Sequence, residues 1–183
     1  MNIFVLSRCP HLAARLHCDK HVVKMILETA QLLYSAHHVL GTPDLPAGAY
    51  KKTHANHPCA IWVRESRANY LWLVELGLAL CAEYQHRYGA HKTHKTQPHL
   101  VWLKSTVPAL PDCEATPFRQ AMPDAYKHAD PVQAYRTYYL EDKVARGIVT
   151  YTNRETPEFL SQERKWQLVL PLKPKPSLER KST

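Results

Sequence analysis

Five polar residues near the start of the chain, His17, His21, Lys24, Glu28 and Gln31, follow one another at steps of four, three, four and three. That spacing places them along one stripe of an α-helix. Two imidazoles, an ammonium and a carboxylate on one stripe supply general acids, a general base and phosphate contacts together. Asp19 and Lys20 flank the stripe. A solvated helix face with ordinary Lys–Glu pairing has the same pattern, so spacing alone leaves both readings open.

A second cluster is the run from Tyr50 to Cys59, which sets Lys51, Lys52, His54, Asn56 and His57 just ahead of Pro58. Asn56 or His57 suits a helix cap and Pro58 a first turn. The free N–H groups and positive dipole end of such a helix favour an anion such as phosphate. Beyond it, Arg64 and Arg67 share a helix face, with Trp62 and Tyr70 near by. Guanidinium groups beside aromatics suit phosphate contacts and base stacking. The competing reading makes the aromatics core residues and pairs the arginines with Glu65 or Glu75.

His17 and His21, four apart on a helix, together with His54 and His57, form an alternative four-ligand metal set. The chain has no HExxH, no GxSxG and no glycine-rich phosphate loop, so zinc-peptidase, serine-hydrolase and nucleotide-dependent chemistries lack their local signatures. No cofactor is expected.

These residues need helices to position them. From His11 to Leu40 there is neither Gly nor Pro, and Val22, Ile26, Thr29, Leu33, Ala36 and Leu40 recur at steps of three and four. That is one buried helical face, stopped by Gly41 and Pro43. Cys59 to Tyr88 reads as a second long helix closed by Gly89, with Ile61, Ala68, Trp72, Ala79 and Ala82 on one stripe. Pro98 opens a short helix through Lys104, and Asp130-Pro131 marks the cap and first turn of another over about 131–146. Between them, Pro108, Pro111, Pro117 and Pro123 predict a long loop with brief turns. The fold expected is all-α: a compact bundle of two long helices and a third shorter one, long Pro-rich loops, and a short extended segment at residues 2–6.

The 183 residues suit one domain, expected over 1–163, followed by a basic, Pro-containing tail over 164–183. The net charge is +8, but the tail holds six of the 24 basic residues and one of the 16 acids. Removing it leaves 18 against 15, a net of +3. The basicity therefore points to a polyanion partner mainly through the tail. Five scattered cysteines without a CxxC pair argue for reduced core thiols. No apolar run approaches the ~20 residues needed to span a bilayer, and nothing at the N-terminus reads as a secretory signal. A cytoplasmic location is expected, with no membrane partner. Oligomeric state is not legible.

The order of the pieces is similar to a known pattern: an apolar start, a polar-faced helix, a Tyr-Lys…Asn-His-Pro loop, then a long helix ending Glu83-Tyr-Gln-His-Arg-Tyr-Gly89. Over roughly residues 1–90 the chain resembles the pyrimidine-dimer DNA glycosylase family, the bacteriophage endonuclease V-like enzymes. The resemblance implies an all-helical fold, DNA as partner, and base excision by an N-terminal α-amine that attacks the sugar C1′ through an imine, with β-elimination nicking the strand. An α-amine suits that chemistry because its pKa, about 7.7–8.0, leaves a neutral fraction at cellular pH. By position the amine belongs to Met1, or to Asn2 if Met1 is removed. Asn is a large second residue, so Met1 is expected to stay.

No Glu occupies the family's place on the first helix. Lys24 falls about there, with Glu28 one turn later. The resemblance makes Glu28 or His21 the acid–base partner. It sets His17, Lys20, Lys24, Lys51, Lys52, His54, Asn56, His57, Arg64 and Arg67 toward nucleic acid. Two further readings stand beside it: a His-coordinated metal-dependent nuclease or hydrolase, and a non-catalytic nucleic-acid-binding module driven by the tail.

Overall fold

The computed structural model describes residues 1–144, 147 and 149–160; the 164–183 tail lies outside them. The chain is helical, with no strand among the described residues. In order come α1 (Pro10–Leu16), α2 (Asp19–Val39), α3 (Pro58–Glu65), α4 (Arg67–Tyr88), α5 (Gln97–Ser105) and α6 (Pro131–Tyr138), which runs on as a π-helical turn over Tyr139–Val144. A 3₁₀ turn covers Asp124–Tyr126.

The first long helix expected from sequence is two helices. His17 and Cys18 both adopt extended backbone angles between α1 and α2. Tertiary partners take the donors that a continuous helix would have used internally. The Cys18 N–H donates to the Tyr139 hydroxyl at 2.9 Å, and the Asp19 N–H to the Thr150 carbonyl at 2.9 Å. The second long helix is also divided, at Ser66. Its φ of −154° and ψ of 156° leave the helical region, its hydroxyl accepts the Asn69 N–H at 3.0 Å, and the Arg67 N–H goes to the Pro111 carbonyl at 2.8 Å. Serine is a favoured N-cap because its oxygen satisfies one of the orphan donors of the first turn.

α4 lies at the centre. α1, α2, α3 and α5 all pack on it, and α2 is its main partner. The α2–α4–α5 junction is tight at Gly77, where an added Cβ would stand 2.8 Å from side-chain carbons of both Leu100 and Thr29. Gly41 takes a φ of +68° just past α2, the left-handed conformation that a helix stop demands and glycine tolerates.

Ile3, Phe4, Val5 and Leu6 are buried and non-helical, a single thread through the core that turns at its end, where the Leu6 N–H donates to the Phe4 carbonyl at 3.0 Å. Trp62 and Tyr70 are core residues as well, 1% and 0% exposed, and are closed to base stacking. Cys18, Cys59 and Cys81 are buried free thiols, whereas Cys9 and Cys113 are exposed, so the core-thiol expectation holds for three of the five. No helix among the described residues is long and apolar enough to cross a membrane.

At the far end of α4 a buried charge network ties residues 149–160 to the helices. Arg87, 2% exposed, donates to Asp19 at 2.9 Å and to Glu83 at 2.8 Å. Arg154 forks onto both oxygens of Glu83 at 2.8 and 2.9 Å. Asp19 also accepts the Thr152 N–H and hydroxyl. These contacts hold both carboxyls below their ordinary pKa values against the opposing effect of burial.

Candidate active site

Where the polar stripe runs along α2, the fold divides it. His17 is not on α2 at all: it ends α1, is fully buried, and gives Nδ1 to a 2.7 Å contact with the Ala13 carbonyl. Burial pushes its pKa down to about 4, so it is a neutral core histidine rather than a phosphate contact. His21 is 7% exposed, with Phe4 lying over it at 4.5 Å between ring centroids. Lys20 and Lys24 are exposed, and Glu28 and Gln31 are half-buried.

The thread at residues 1–6 brings the chain's beginning to this open part. The Asn2 backbone nitrogen lies 3.1 Å from Oε2 of Glu28, and Lys24 Nζ lies 3.3 Å from the other carboxylate oxygen. Met1 is half-buried and packs against the core. His57 joins from the start of α3. Its pKa is lowered first by burial, then by the positive charges of the N-terminal amine and His54, with Glu28 opposing. The chain start, Glu28, His54 and His57 therefore share one electrostatic neighbourhood.

His57, not Asn56, is the α3 cap, its Nδ1 accepting the Cys59 N–H at 3.2 Å. His54 has a φ of +47° and bonds Thr53 through Nδ1 at 2.6 Å. Lys51, Lys52, His54 and Asn56 are exposed. Arg64 and Arg67 do not share a face, because Ser66 separates their helices. Arg67 is exposed, while one terminal nitrogen of Arg64 is buried without a hydrogen-bond partner among the described residues.

The four-histidine metal set is not assembled. His17 and His21 sit beneath Phe4 with ring centroids 6.2 Å apart, while His54 and His57 flank the α3 entrance. Among the described residues no three His, Cys, Asp or Glu side chains converge on a metal-holding point.

Sequence reasoning missed the clamp on Asn2. Its Oδ1 accepts the Ile3 N–H at 2.8 Å and the Cys59 thiol at 3.4 Å, with the Tyr135 hydroxyl 3.1 Å away. Its Nδ2 donates to the Ala121 carbonyl at 2.9 Å. Burial raises the Cys59 pKa to about 11, which keeps the thiol protonated as a donor. Residues 57, 119 and 133 positions away meet one side chain here, and no local pattern encodes such contacts.

The arrangement is a helical protein whose chain start is fixed beside a carboxylate and a lysine. The chain belongs to the pyrimidine dimer DNA glycosylase family, whose profile matches residues 1–110. That membership implies DNA glycosylase chemistry with DNA as substrate. No curated protein and no solved structure matches the chain.

Proposed function

We propose that this protein excises damaged pyrimidines from duplex DNA and then nicks the strand, using the amine of residue 2 as nucleophile. The observation that carries this reading is the 3.1 Å contact between the Asn2 nitrogen and Glu28. With Met1 attached, that nitrogen is an amide and does not attack carbon. Attack requires removal of Met1, against the expectation set by the large second residue; the freed α-amine would then start from a position 3.1 Å from a carboxylate oxygen.

The neutral amine attacks C1′ of the lesion nucleotide. The C1′–N bond breaks, its electron pair leaves with the base, and the base takes up a proton. Loss of the amine's protons and opening of the sugar ring give an imine at C1′. Glu28 would receive a proton from the amine, pass it to the sugar ring oxygen as the ring opens, and, ionised again, take the proton from C2′. Removing the C2′ proton breaks the C3′–O bond, and the 3′ phosphate leaves. Lys24, whose Nζ lies 3.3 Å from a Glu28 carboxylate oxygen, lends positive charge to the phosphate path. Lys20, Lys51 and Lys52 bind the backbone electrostatically.

Borohydride reduction of a reaction on duplex DNA carrying a pyrimidine dimer tests this. The expected product is a covalent protein–DNA adduct whose peptide mass maps to Asn2 of a chain lacking Met1. An adduct on intact Met1 would refute the removal of Met1 and the Asn2 nucleophile, and keep the imine. No adduct on any pyrimidine lesion would overturn the imine mechanism.

A further inference from the structure

Between Asp19 and His37, six side chains of α2 reach solvent: Lys20, Val23, Lys24, Leu27, Glu28 and Gln31. Two of them are aliphatic. Val23 is 39% and Leu27 36% exposed, and at four-residue spacing they stand next to each other on the helix surface. Leu27 directly precedes Glu28, and Val23 directly precedes Lys24. An apolar pair thus lies in water, between ammonium groups and beside the carboxylate that holds the chain start.

We infer that Val23 and Leu27 form a ridge that enters an opened base step of duplex DNA next to the lesion, while Lys20 and Lys24 take the flanking phosphates. This rests on the glycosylase reading above. A reaction at C1′ requires the base to leave the stack, and proteins that open a step commonly insert aliphatic side chains into it. The alternating charge identifies the occupant. Two aliphatic side chains walled by lysines fall far short of the roughly 800 Å² per partner of a stable protein interface, but they match an unstacked base face bordered by phosphates. The ridge is continuous with the site, so the lesion nucleotide and the opened step are engaged by consecutive residues of one helix.

The test compares the wild type with the V23A/L27A variant, whose substitutions are at exposed positions and leave helix propensity intact. Two substrates are used: a duplex with a pyrimidine dimer, and a single strand carrying an abasic aldehyde, which needs no opening. The ratio of duplex to single-strand trapping rates is expected to fall about tenfold, the scale of losing the burial of one aliphatic side chain. In parallel, 2-aminopurine placed beside the lesion should brighten when the wild type binds and brighten much less with the variant. An unchanged rate ratio with unchanged fluorescence overturns the ridge. If the wild type traps neither substrate, the imine reading fails, and the fluorescence comparison alone decides the ridge: equal brightening refutes it, and a smaller rise in the variant supports it.

Discussion

The hydroxyl of Tyr135 stands 3.1 Å from Oδ1 of Asn2 and 2.8 Å from the carbonyl of Arg119. It has one proton, which it gives to one of these acceptors at a time, and it accepts the Ala121 N–H at 3.3 Å. A buried phenol thus braces the side chain of the residue whose nitrogen faces Glu28. Tyr135→Phe keeps the ring in the core and removes the brace. Loss of one buried hydrogen bond costs about 1 kcal/mol, a small change in melting temperature. The imine-trapping rate should fall roughly tenfold, because a misplaced nucleophile reacts less often. Parallel kcat and KM measurements check the assignment: the loss belongs in kcat, and a change confined to KM argues against it.

Glu28→Gln removes the proton acceptor while keeping a hydrogen-bonding side chain beside Asn2. General-base assistance is worth about 10²–10⁴-fold, so strand nicking should fall by that range. DNA affinity should hold or rise slightly as a negative charge leaves a phosphate-binding face. Nicking assays and titration at fixed salt read the two effects separately. Wild-type nicking by the variant refutes the role of Glu28.

Gly77→Ala puts a methyl group between Leu100 and Thr29, where its Cβ would sit 2.8 Å from both side chains. Overpacking of this kind costs about 1–3 kcal/mol. Urea denaturation should show a lower midpoint with an unchanged slope. A midpoint equal to wild type would mean that α5 shifts freely away from α4.

His17 and His37 are both neutral in the folded protein, with pKa values pushed down to about 4 by burial. Unfolded, each titrates near its ordinary 6.5. Between about pH 6.5 and 4 the unfolded chain binds more protons, so stability is full above 6.5 and declines as the pH falls toward 4. His17→Phe should flatten part of that slope in thermal melts taken across the window. An identical slope would show that His17 stays solvated. Below this window, Asp19 and Glu83 extend the decline, since both carboxyls titrate below their ordinary values and lose their arginine contacts on protonation.

Helix content was legible because apolar spacing and the Pro, Gly and Asp punctuation are local. The α5 start, the Asp130 cap and the stop at Gly41 all follow from such signals. The two interior breaks were not. At His17–Cys18 the helix yields to a tyrosine and a threonine carbonyl far along the chain, and the signal at Ser66 was only a lone serine in a run of helix formers. The first break matters for the site, because it turned His17 from a stripe residue into a core one. Glu28 had the reverse history. Counted along the sequence it sat one turn late, yet the thread at residues 2–6 delivers Asn2 to it. Linear position is a poor guide wherever a non-helical segment sets the register between two groups.

The side chain of Asn2 is anchored by Ala121 and Tyr135, both beyond the 110 residues that the family profile covers. These two anchors are made more than a hundred residues later in synthesis, so the clamp on Asn2 is complete only late. A nascent chain cannot brace Asn2 through Tyr135 until residue 135 has emerged and folded back. Under the proposed mechanism, an incomplete polypeptide would lack the positioned amine that nicking needs.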